Sequence, residues 1–150
     1  MRIILGMSTP SSSRAPLSGL APAERDHITN VAANLQLAAD LGYGDVALLV
    51  AAEDGDLHVF ADARPMTAAA AVPVTRVGEA VVRSDEPEAY DALEGGVVAC
   101  GTHRRIRRGI AFTSTGYPIG AAEHPYAVVV RHVGQSVAEA PGKMEVAFMR

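Results

Sequence analysis

Ile28, Val31, Leu35 and Ala38 recur at intervals of three and four residues, the spacing of one apolar stripe on a helix that faces a core. They predict a helix over Ala23 to Leu41. Pro22, with Glu24 and Asp26 close behind, marks its entrance, because a first-turn proline forfeits no hydrogen bond and acids suit the positive end. Leu41-Gly42 predicts the exit, with glycine in the left-handed cap. The pattern then changes. Asp45 to Ala52, DVALLVAA, is almost wholly apolar and short, which predicts a strand covered on both faces. Asp54-Gly55 is a turn pair, so Leu57 to Ala63 is the return strand of a hairpin. Strict alternation there puts Leu57, Val59, Ala61 and Ala63 on one face and His58, Phe60, Asp62 and Arg64 on the other.

The middle of the chain is less regular. VGEAVV, Val77 to Val82, reads as a short helix, and a second helix follows with Ser84 as cap and Gly95-Gly96 as its end. Val97 to Cys100 is a short buried strand, and GIAFTSTGYP after the basic run reads as loop. Tyr126 to Val133 is a strand. Gly134-Gln135 turns it into a shorter partner, Ser136 to Ala140, and PGKMEVAFMR opens a helix. Helix, hairpin, helical middle and terminal hairpin predict an α+β fold, one antiparallel sheet with flanking helices. The domain divisions expected are a flexible leader at 1–20, rich in Ser and Pro, a globular body at 21–142, and the start of an exit helix at 143–150.

Composition narrows the function classes. With 150 residues, 49% hydrophobic and 20% charged, the chain is one globular domain's worth. A net charge of −4 argues against a nucleic-acid partner. No apolar run reaches the ~18 residues of a membrane span, so no membrane partner is expected; the lone cysteine suits a reducing cytosol, and a cytoplasmic protein is expected. Cys100 is the single cysteine, excluding an internal disulfide, and the five histidines have no metal-ligand spacing, so no metal site is expected.

Candidate chemistry centres on the Arg-Pro-x-Thr corner that ends the hairpin. Arg64 has two readings: a strand-end cap paired with Asp62, or one member of a ligand-binding set His58, Phe60, Arg64 and Thr67. In the second, Phe60 stacks a ligand ring, Arg64 offers its planar fork to an anionic group, Pro65 fixes the corner and Thr67 adds a hydroxyl. His103 to Arg108 carries Arg104, Arg105, Arg107 and Arg108, downstream of the acidic stretch Asp85 to Glu94. This run is either a solvated loop attracted to those acids or an anion site. Arg131 and His132 alternate on the late strand, which predicts that one faces outward. Cys100 is either a redox thiol or a small buried hydrophobe. No phosphate loop, nucleophile elbow or Cys/His dyad is present, so no catalytic residue is assigned.

Leu35 to Val72 resembles the N-terminal GAF-like sensor domain of soluble bacterial sensor histidine kinases, especially actinobacterial ones. Leu37-Ala38-Ala39-Asp40-Leu41, Asp45, Asp54-Gly55, Arg64-Pro65 and Thr67 carry the resemblance, and VVVRHVGQSVA and APGKMEVAF resemble that family's terminal hairpin and exit helix. The resemblance implies a GAF/PAS-like fold and a sensory input domain of a two-component system, with PAS and kinase modules beyond Arg150. A small-molecule ligand, anionic if Arg64 anchors it, would act through the exit helix. The alternative is a ligand-free domain that dimerises or serves as scaffold, with the helix Ala23 to Leu41 packed on a twin. Its cofactor is unknown.

Overall fold

The computed structural model describes residues 15–66, 75–101, 105–107 and 109–135. Its centre is an antiparallel sheet of seven strands: β1 Asp45–Ala51, β2 Leu57–Ala63, β3 Ala80–Val81, β4 Ala99–Cys100, β5 Arg105–Arg107, β6 Ile110–Ala121 and β7 His124–Gln135. The order across the sheet is β3-β2-β1-β7-β6-β4, with β5 also paired to β6. Two helices, α1 Pro22–Ala33 and α2 Leu35–Gly42, cover one face. A third, α3 Pro87–Gly95, covers the other.

Each face has its own apolar cluster, because alternate side chains of β1 point to opposite sides. Val46, Leu48 and Val50 join Ile28, Leu35 and Ala39 beneath α1 and α2. Leu49 joins Leu57, Val59, Val81, Ala89, Tyr90, Ala92, Val128 and Val130 beneath α3. The expected two-sided burial of β1 follows directly. The hairpin to β2 also holds, closed by Gly55 N–H to Ala52 O at 2.9 Å and Asp56 N–H to the Asp54 carboxylate at 2.9 Å.

Several expectations change. The first helix is two helices, broken at Asn34, whose side-chain amide donates to Asn30 O and competes with the backbone ladder. The break rotates the stripe, so Ala39 is buried where Ala38 was expected. Its end also differs: Gly42 is still helical, and Tyr43 takes the left-handed conformation at φ 52°. A side chain at 42 would crowd Arg131. A Cβ there would lie 2.9 Å from Arg131 Nε. VGEAVV is not a helix but carries edge strand β3, and all of GIAFTSTGYP after Gly109 belongs to the long strand β6. Strand β7 runs on through the expected turn at Gly134-Gln135 and pairs with β6 along its length. Period-two burial along β6 was masked by its glycine, serine and threonine content. Helix α3 starts at Pro87, with Glu86 rather than Ser84 at its cap position, and Gly96 closes it at φ 68°.

Of the expected leader, Ala15–Gly19 is a 3-10 turn, and Leu17 and Leu20 pack on the α1/α2 cluster. Residues 1–14, the segment Ser136 to Ala140 and the exit helix at 143–150 lie outside the described residues. Among the described residues no helix is long and apolar enough to cross a membrane.

Candidate functional site

One irregularity in β2 decides which side chains meet. Leu48 pairs with Ala61 but Leu49 with Val59, so Phe60 is an extra residue that bulges from the ladder. Beyond the bulge the alternation is inverted. Phe60 and Ala61 both pack on the α1/α2 side, while Asp62, in register with Ala47, turns to the α3 side. The expected set His58, Phe60, Arg64 and Thr67 is therefore divided. His58, in register with Val50, shares the α1/α2 side with Phe60, whereas Arg64 lies with Asp62 across the sheet. Thr67 lies outside the described residues.

Arg64 pairs with Asp62 through two contacts of 3.2 Å, the strand-end pairing that was one of its two readings. Asp62 does more than hold Arg64. It accepts from Thr75 Oγ1 at 3.0 Å and from the Arg76 backbone N–H at 2.8 Å, so it pins the segment entering β3 to the end of β2.

The buried polar side chains of the described residues, Asp45, Glu86, Ser114 and His132, gather around His132. Asp45 on β1 and Ser114 on β6 are its register partners on either side. Glu86, at the start of α3, receives its Nε2 at 2.8 and 3.1 Å. The edge of the Phe112 ring supports the imidazole at 5.2 Å between centroids. Arg76 Nη1 comes within 3.7 Å of Glu86 Oε1, and Arg105 Nη2 within 3.6 Å of Oε2. Arg105 also meets Glu88 at 2.9 Å, the Asp85 carbonyl at 2.8 Å and the Ser114 hydroxyl. The attraction of the basic run to Asp85–Glu94 is thus realised by Arg105, on a strand rather than in a loop.

Beside this cluster is a cavity lined by Asp45, Val59, Asp62, Arg64, Arg76 and His132, among others. Its volume is about 20 Å³, enough for about one water and far below the ~300 Å³ of a small-molecule pocket. Charged groups of both signs line it. Sequence reasoning rejected His132 as a metal ligand and missed its real partners, since Glu86 lies 46 positions away and Arg76 sits in a segment of weak pattern. Neither Arg131 nor His132 simply faces outward: Arg131 donates from Nε to the Gly42 carbonyl at 3.1 Å on the α2 side. Cys100 is exposed, which corrects the buried-hydrophobe reading. Among the described residues no group of three or more His, Cys, Asp or Glu is placed to hold a metal ion.

An antiparallel sheet with α1 and α2 on one face and α3 over a polar cavity on the other defines a GAF sensor domain. The structure is similar, at TM-score 0.52 and 15% identity, to the phycocyanobilin-bound GAF domain of a cyanobacterial phytochrome, covering 94% of this chain and 88% of that one. It is also similar to the sensor region of a sensor histidine kinase, at TM-score 0.59 and 26% identity. That match covers 79% of this chain, which spans 39% of the other. Residues 15–150 match the GAF domain of the histidine kinase PdtaS, and the chain belongs to that family. No curated protein sequence matches it.

Proposed function

We propose that the domain is the cytoplasmic input module of a histidine kinase, and that it senses a small molecule at the α3 face of the sheet. The observation that carries this reading is the gathering of the buried polar side chains at one place, against the cavity bounded by Arg64, Arg76 and His132. Buried polar groups are costly, and a fold that only needed stability would be served by apolar residues there. At about 20 Å³ the cavity must open to admit a ligand, so bound and free arrangements differ. Unequal affinity for two arrangements is what a sensor requires. Signal would leave towards residues 143–150 and the modules that follow. Binding falls to Arg64, Arg76 and His132 rather than to His58 and Phe60.

A second reading is a ligand-free domain that dimerises. It is favoured by Leu37 and Leu41, four residues apart on α2 and 58% and 72% exposed. Native mass spectrometry of the gently purified protein, set against its denatured mass, separates the two. Added mass lost on denaturation supports the sensor. A clean apo dimer supports the scaffold.

A further inference from the structure

The place that Glu86 fills is a complete recognition site for one carboxylate. His132 Nε2 approaches both of its oxygens, at 2.8 and 3.1 Å, while Arg76 and Arg105 stand at 3.7 and 3.6 Å on either side. Basic groups from three separate segments converge on a side chain that is 1% exposed. Two of them, Arg76 and His132, also line the cavity. An anion entering that cavity therefore meets groups that already serve Glu86, and two carboxylates sharing them repel each other. Glu86 is suited to yield. It occupies the cap position of α3 but makes no side-chain cap hydrogen bond, so its withdrawal leaves the helix ladder intact. Arg76 holds its position independently through its backbone N–H to Asp62.

We infer that Glu86 is the resident occupant of an anion seat, and that the ligand of this domain carries one small oxyanion group, carboxylate or phosphate, which displaces it and frees the start of α3. This rests on the sensor reading above. A ligand of this class binds only the arrangement from which Glu86 has moved, which makes the competition itself the coupling between site and helix.

The test is chemical complementation. Glu86→Ala removes one methylene and the carboxylate, leaving space shaped for acetate. Acetate, inorganic phosphate and chloride are titrated at constant ionic strength into the wild type, Glu86→Ala and Glu86→Gln, with Tm as readout. Glu86→Ala should show a saturable rise of roughly 5 °C with acetate or phosphate. The wild type, whose seat is filled, should need at least about tenfold more anion for half the effect. Glu86→Gln, which fills the space without the competing charge, should respond at anion concentrations between those of the other two. Should Glu86→Ala be unfolded without anion, recovery of a cooperative melt in acetate or phosphate is the same supporting result. An acetate preference assigns a carboxylate ligand, and a phosphate preference a phosphate one. A rise no larger than that with chloride, or an unfolded variant that neither anion restores, overturns the seat. The native mass of the wild type reports on the sensor reading separately: retained mass without complementation removes the seat alone.

Discussion

Arg131 and His132 are neighbours on β7, and each ends at a different helix: Arg131 on the last carbonyl of α2, His132 on the carboxylate that begins α3. One strand thus grips both layers of the domain through consecutive side chains. The start of α3 contacts β7 directly, with no intervening loop.

The Arg131 contact predicts a change of sign. Gly42→Ala adds a good helix former within a helix, worth about 1 kcal/mol by propensity, yet its Cβ would lie 2.9 Å from Arg131 Nε. Gly42→Ala should therefore destabilise the wild type but stabilise the Arg131→Ala variant. Urea midpoints of the four proteins in that cycle decide it.

Breaking the buried pair should be costly from either end. Glu86→Ala and His132→Ala each leave polar groups without their partner, and about 3–5 kcal/mol is expected for each. The double variant should lose clearly less than the sum. Additive losses in denaturant unfolding would mean that the two side chains act independently.

At the hairpin corner the order of effects is informative. Arg64→Ala removes its partly exposed pairing with Asp62, for about 1 kcal/mol, whereas Asp62→Ala strands Thr75 and the Arg76 N–H as well, for about 2–3 kcal/mol. Thermal melts that reverse this order would remove Asp62 as the organiser of the corner.

Tyr90 reaches from α3 to the sheet edge, where its hydroxyl donates to Val81 O and accepts from the Leu57 N–H at 3.2 Å. Tyr90→Phe should cost about 1–2 kcal/mol. It should also speed hydrogen exchange at Leu57, observable by NMR, with little change at Leu48.

Tyr126 supplies the pH prediction. Burial, and then the nearby Glu24 carboxylate, push its hydroxyl above the ordinary tyrosine value of 10.0. The raised group favours the folded state at and below pH 10 and loses that contribution as pH climbs through its folded value. The difference in phenolate absorbance between wild type and Tyr126→Phe should have its midpoint above 10, and Glu24→Gln should lower it.

The β1–β2 hairpin was legible because its signals were local: an apolar run, an Asp-Gly turn and a return of matching length. Helix α1 was legible for the same reason. The break at Asn34 was not, since it depends on one side chain choosing a backbone carbonyl over solvent. Strand β6 was hidden because burial by a partner strand, rather than its own propensity, makes Ser114 and Gly116 part of a sheet. For the site, Arg64 and its pairing with Asp62 could be named from the sequence. The cluster around His132 could not, because Asp45, Glu86, Ser114 and His132 are brought together only by register and by the placement of α3.

The single extra residue at Phe60 works as a parity bit for everything after it. Were the same residues to alternate strictly, Asp62 and Arg64 would fall beneath α1 and α2, and the α3 face would lose both the anchor of the β3 approach and one wall of the cavity. Deleting Phe60 should therefore close the ladder into plain alternation and leave Asp62 and Arg64 on the α3 face, at the loss of one apolar side chain from the opposite layer. The place of the polar corner is encoded in one irregularity between Val59 and Asp62 as much as in the residues themselves.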